Sequence, residues 1–160
     1  MTRPPAKAGG FWFPVEGGEE ALIIGIGHDL VEIERLHRIL QGPIADRFEA
    51  RVLTAAERER ADARGGRREE YIAGRFAAKE AIVKALGCGI GRTVGFLDIE
   101  ILPDGAGKPV CRLTEGAWRR LGLSPEETVL HLSITHERSL ASAYAIVEQD
   151  RSFHVNLARK

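Results

Sequence analysis

The sequence predicts an α+β domain in which an antiparallel sheet is packed with helices. Three observations lead there. An apolar, β-branched run opens the domain at Ala21–Ile26. Segments with helical spacing fill most of the stretch from residue 30 to residue 86. After them come short apolar runs with strand character, separated by turn residues, and no regular strand–helix alternation that would give a parallel sheet.

Taken in order, residues 1–20 are punctuated by Pro and Gly and read as a flexible N-terminal extension. Its apolar patch, Phe11, Trp12 and Phe13, is too short for a signal-peptide core and either docks on a neighbour or has no role. The strand Ala21–Ile26 follows. From Leu30 the spacing of Leu30, Ile33, Leu36, Ile39 and Leu40 predicts a helix, with Asp29 placed to cap it and Gln41–Pro43 to end it. Residues 44–53 form a second short helix. Thr54 and Glu57 have the spacing of a capping box and open a third. Gly65–Arg68 is a loop, and a long helix runs from about Glu69 to Leu86, stopped by Gly87. The glycine-rich loop after it leads into a hairpin, Phe96–Leu102 with Val110–Leu113. A short helix covers "EGAWRRLGL", and two strands, "VLHLSITHE" and "SLASAYAIVEQ", finish the domain near residue 149. Residues 150–160 are a tail.

A chain of 160 residues is long enough for one domain with a core. Apolar residues make up 44 % and charged residues 29 %, with a formal net charge of zero, so no global field points to nucleic acid or to an anionic membrane. No segment approaches a membrane span. Cys88 and Cys111 are far apart and form no CxxC, which predicts free thiols in a reducing, cytoplasmic setting and no structural zinc.

The chemistry is concentrated in "GRFAAKEAIVKALG", Gly74–Gly87. A helix this apolar belongs in a core, yet it carries Lys79, Glu80 and Lys84. Phe76, Glu80, Lys84 and Gly87 share one stripe. Either Glu80 and Lys84 are a surface ion pair worth a few tenths of a kcal/mol, or the carboxylate meets a partner or a metal. Asp29 carries the same two readings, helix cap or ligand. Two isolated carboxylates and a lysine suit a magnesium–phosphate site, because Mg2+ takes one or two protein carboxylates and fills its shell with water and substrate phosphate. The glycine loops match neither the Walker spacing nor GxGxxG. "SITH", Ser133–His136, is too local to argue a Ser–His nucleophile, and His136 reads as a phosphate or base contact or as a surface histidine.

Together, "GIGHDLVEIER", "GRFAAKEAIVKALG" with "GIG" after it, and "SITHE" before an alanine-rich strand resemble the holo-acyl-carrier-protein synthases, the short-chain class of 4′-phosphopantetheinyl transferases. The resemblance spans roughly residues 22–148. It implies transfer of 4′-phosphopantetheine from coenzyme A to a serine of an apo acyl carrier protein, with release of adenosine 3′,5′-bisphosphate. It implies a homotrimer with active sites at subunit interfaces, and a carrier from fatty-acid or polyketide synthesis. By the same resemblance Asp29 and Glu80 hold Mg2+, and Lys84 lies near the coenzyme A diphosphate. Arg75, Val83, Lys84, Gly87 and His136 contact coenzyme A. In the mechanism this suggests, Glu80 takes the serine proton directly or through metal-bound water, and the sequence leaves the identity of the base open. Acyl carrier proteins are acidic, so Arg35, Arg38, Arg47 and Arg51, with Phe48 as an apolar anchor, form the expected docking surface. The competing reading pairs these arginines with Glu32, Glu34 and Glu49. His28 departs from the family pattern and is either a hydrogen-bond donor to Asp29 or an exposed side chain. Two other activities could use the same residues: a magnesium-dependent diphosphate hydrolase, and a non-catalytic carrier-binding module.

Overall fold

The computed structural model describes residues 21–150, so the N-terminal extension and all of the tail but Asp150 lie outside the described residues. Three strands, β1 (Ala21–Glu32), β4 (Thr128–His136) and β5 (Leu140–Asp150), form an antiparallel sheet in the order β1-β5-β4. Helices α1 (Ile33–Leu40), α2 (Ala45–Val52), α3 (Ala55–Asp62) and α4 (Arg68–Ala85) lie between β1 and the hairpin of β2 (Ile99–Pro103) and β3 (Pro109–Leu113). Helix α5 (Glu115–Leu121) precedes β4.

The long helix α4 packs against one face of the sheet. Ala77, Ala78, Ala81 and Ile82 meet Leu132, Ala143, Ala145 and Val147 in the main core. Small side chains on both partners permit a short interaxial distance, and β1 exploits it with glycines. A Cβ at Gly25 would collide with the Ala85 carbonyl, and one at Gly27 with the Ala81 carbonyl. A second cluster joins α1, α2 and α3 to the N-terminal half of α4 through Ile33, Leu36, Val52, Leu53, Ala61 and Ile72.

Helix spacing misled at Leu30. The chain stays extended to Glu32, because residues 27–32 pair in unbroken antiparallel register with residues 145–140 of β5. Leu30 is therefore 53 % exposed on the sheet face away from α4, while Ile33 and Leu36 alone begin the helix's buried side. Asp29 is a strand residue and caps no helix; the N-cap of α1 is Glu32, which makes no side-chain capping bond. The capping box of Thr54 and Glu57 forms as expected. So does the stop after α4: the amides of Gly87 (φ +71°) and Cys88 bond back to the carbonyls of Lys84 and Val83, the pattern of a left-handed helix terminus.

Lys79 is not part of the charged stripe. Its ammonium has no solvent exposure and donates to Glu57 Oε2 at 2.6 Å, to the Val52 carbonyl at 2.8 Å and to the Phe96 carbonyl at 3.0 Å. Glu57 also accepts from the amides of Thr54 and Ile101. Burial pushes the Lys79 ammonium below the ordinary lysine range, and the Glu57 carboxylate pulls it back up. This buried pair ties the end of α2, the start of α3 and the edge of β2 to α4.

Candidate active site

Strand alternation aims Asp29, like Gly27, at α4. There Lys84 Nζ donates to Asp29 Oδ1 at 2.7 Å and to the His28 carbonyl at 3.1 Å. The surface pair of Glu80 with Lys84 is thus replaced by a pair across two elements. Glu80, one turn earlier on α4, has its carboxyl raised above the ordinary range, first by burial and then by the Asp29 charge, with Lys84 opposing both. Two carboxylates that repel each other beside one ammonium form a site short of positive charge. Among the described residues no group of three or more His, Cys, Asp or Glu side chains could hold a metal ion by itself. The protein donor set is the two carboxylates, which fits a cation that takes its remaining ligands from water and phosphate.

Asp29 and Glu80 line a cavity of about 530 Å³ with Phe48, Phe76, Arg35 and Ile39. Phe76 stands between Phe48 and Phe96, with ring centroids 6.0 and 5.3 Å apart. Of the expected docking residues, Arg35 and Phe48 reach this cavity; Arg35, Arg38, Arg47 and Arg51 are all exposed. Pairing explains little of them. Arg38 lies 3.9 Å from Glu34, whereas Glu49 is held by Arg68 through two bonds of 2.6 and 2.9 Å.

The expected coenzyme A contacts divide into two places. Lys84 meets Asp29 near the C-terminal end of α4, and Gly87 stands two residues past that helix. Arg75 and His136 line a separate cavity of about 190 Å³ together with Arg64, Arg67 and Tyr71. Arg75 is 7 % exposed, donates from Nε to the Ile101 carbonyl at 3.0 Å and stacks 4.2 Å over the Tyr71 ring. His136 Nδ1 is 3.7 Å from the Glu70 carboxylate. Val83 corrects the expectation outright: it is fully buried in the core, so its side chain is closed to a ligand. His28 does not serve Asp29. Its ring lies 4.2 Å from that of Tyr144, and its Nε2 is 3.0 Å from Ser142 Oγ. Arg64, Arg67 and Tyr71 were missed, because they fall in three separately read segments, the third helix, the loop Gly65–Arg68 and the long helix; the density of arginine at residues 64–68 was the available signal.

A family model for the 4′-phosphopantetheinyl transferase superfamily matches residues 25–146, which include both clusters. The chain belongs to that superfamily. A holo-[acyl-carrier-protein] synthase of Bacillus thuringiensis is 41 % identical over 132 residues, covering 82 % of this chain and all of the relative. The crystal structure of a holo-(acyl-carrier-protein) synthase from Bacillus anthracis in complex with CoA (3′,5′-ADP) superposes with a TM-score of 0.67 at 41 % identity, covering 80 % of this chain and 98 % of that one. A Helicobacter pylori holo-[acyl-carrier-protein] synthase in complex with coenzyme A gives a TM-score of 0.66 at 31 % identity, covering 76 % and 98 %. The α+β fold with its antiparallel sheet is the fold of these enzymes.

Proposed function

We infer that the chain is a phosphopantetheinyl transferase: it moves 4′-phosphopantetheine from coenzyme A to a serine of an apo acyl carrier protein and releases adenosine 3′,5′-bisphosphate. The observation that carries the site assignment is the convergence of Asp29, Glu80 and Lys84 from β1 and α4. Asp29 and Glu80 would hold Mg2+, which when bound neutralises diphosphate charge and lowers the barrier to attack at phosphorus. Lys84, kept at Asp29 by its 2.7 Å bond, supplies a second positive charge toward the departing nucleotide phosphate. Glu80, on the wall of the same cavity as Asp29, is the residue we assign to accept the serine proton. The exposed arginines of α1 and α2 offer an acidic carrier its docking surface beside that cavity.

The arginine-lined cavity suits the phosphate monoester on the coenzyme A ribose, through Arg64, Arg67, Arg75 and His136. On one chain this cavity and the carboxylate site are distinct. A homotrimer in which each active site combines one chain's carboxylates with its neighbour's arginines reconciles them. The sheet face away from α4 supports such packing, since Ile26 (64 %), Leu30 and Tyr144 (54 %) lie exposed there. The composite site has a direct test. Mixing Glu80→Ala with Arg75→Ala should restore activity, and mixing Asp29→Ala with Lys84→Ala should not, because those two residues touch within one chain. Activity in the second mixture alone would overturn the arrangement.

A further inference from the structure

Tyr71 carries a buried phenol oxygen with no hydrogen-bond partner. The residue is 8 % exposed and lines the arginine cavity. Buried polar groups in folded chains are nearly always paired, so an orphan donor in a residue that lines a cavity calls for an explanation. Nothing in the core requires it: Tyr71 belongs to the second hydrophobic cluster, where phenylalanine would serve as well. The cavity supplies the reason. Its neighbours Arg64, Arg67, Arg75 and His136 are groups that recognise phosphate, and Glu70, the carboxylate among them, is turned to His136. Two guanidinium groups stack on the ring, Arg75 at 4.2 Å and Arg64 at 5.3 Å. Arg75 is anchored to the Ile101 carbonyl. Arg64 is exposed and makes no side-chain hydrogen bond or ion pair among the described residues, so it is free to swing toward an anion.

We propose that Tyr71 is a ligand-reading residue: its phenol donates a hydrogen bond to the ribose phosphate monoester of coenzyme A when that phosphate enters the arginine cavity. This rests on the assignment of the cavity to that phosphate. A phosphate monoester offers three acceptor oxygens, and a neutral donor fixed between the anchored Arg75 and the free Arg64 sets which way it sits. The free chain leaves the oxygen unpaired, and the ligand completes it. Binding thereby gains a contact that coenzyme A lacking this phosphate cannot make.

The test is Tyr71→Phe, assayed with coenzyme A and with 3′-dephospho-coenzyme A as alternative donors. Removing an unpaired oxygen should leave the melting temperature of the free protein unchanged or higher. The KM for coenzyme A should rise roughly tenfold, as expected for one hydrogen bond to a charged group. The KM for the dephospho donor and for the carrier protein should not move. An unchanged coenzyme A KM, an equal loss with both donors, or a lowered melting temperature would each overturn the role of Tyr71. If Arg67→Ala also treats the two donors alike and the wild-type protein does not distinguish them, the fault lies in the cavity's assignment instead.

Discussion

Lys79→Met tests the claim that one of the charges in α4 serves the fold and not the chemistry. Methionine keeps the length and most of the volume of the side chain, so the cavity term is small. What remains is electrostatic. The change strips Glu57 of a partner 2.6 Å away in a site with no solvent exposure, and it leaves the carbonyls of Val52 and Phe96 without their donor. Breaking a buried pair by removing one member costs about 3–5 kcal/mol, because the other charge stays buried. That is a large share of the roughly 5–15 kcal/mol that holds a domain together. At about 2–4 °C per kcal/mol for a chain of this size, the melting temperature should fall by roughly 10 °C. Urea denaturation followed by circular dichroism measures the loss. Adding Glu57→Gln to the variant should recover part of it, since the amide oxygen can still accept from Thr54 or Ile101 while the buried charge is gone. A loss below about 1 kcal/mol, the range of exposed pairs, would refute the reasoning.

Three other outcomes follow from the same geometry. Gly27→Ala should cost about 1–3 kcal/mol or more and lower turnover, because the new Cβ meets the Ala81 carbonyl and lies 2.6 Å from the Ala85 nitrogen, forcing α4 away from Asp29; thermal melts and turnover measured together check it. Glu80→Gln in chelator should raise the melting temperature at neutral pH: the folded carboxyl is raised, so the native state binds more protons than the unfolded chain between the two pKa values, and stability falls as pH rises through that window. The gain should vanish below the unfolded value, and melts at a series of pH values would show it. Charge reversal at Arg35 or Arg47 should raise the carrier KM much more than the coenzyme A KM, with association slowing as salt increases; steady-state kinetics across ionic strength decides this.

The sequence revealed the elements more fully than their contacts. Thr54 with Glu57, Gly87 after α4 and the apolar runs of the terminal strands announced themselves locally, because caps and short strand-like runs act over a few residues. The reach of β1 to Glu32 did not, since it depends on pairing with β5 more than a hundred residues later. Glu57 was read as a capping residue, which it is, but its second role as the partner of Lys79 spans 22 residues and needed the fold. Asp29, Glu80 and Lys84 were visible as charges out of place in apolar blocks. Their pairing was not: helical spacing suggested Glu80 for Lys84, and the tertiary structure gave it Asp29. Arg64 and Arg67 carried no local pattern beyond a basic stretch and Tyr71 none at all, and only their meeting with Arg75 and His136 makes them a site.

The central claim is that Asp29 and Glu80 make this chain a transferase, and intact-mass measurement of a carrier protein tests it most directly. Apo acyl carrier protein, coenzyme A and saturating Mg2+ incubated with the wild-type protein should yield carrier heavier by one phosphopantetheinyl group, together with adenosine 3′,5′-bisphosphate. Asp29→Ala and Glu80→Ala, each with wild-type circular dichroism, should leave nearly all of the carrier unmodified over the same time. Near-normal modification by either variant, or release of free phosphopantetheine by the wild-type protein with the carrier unchanged, would contradict the account.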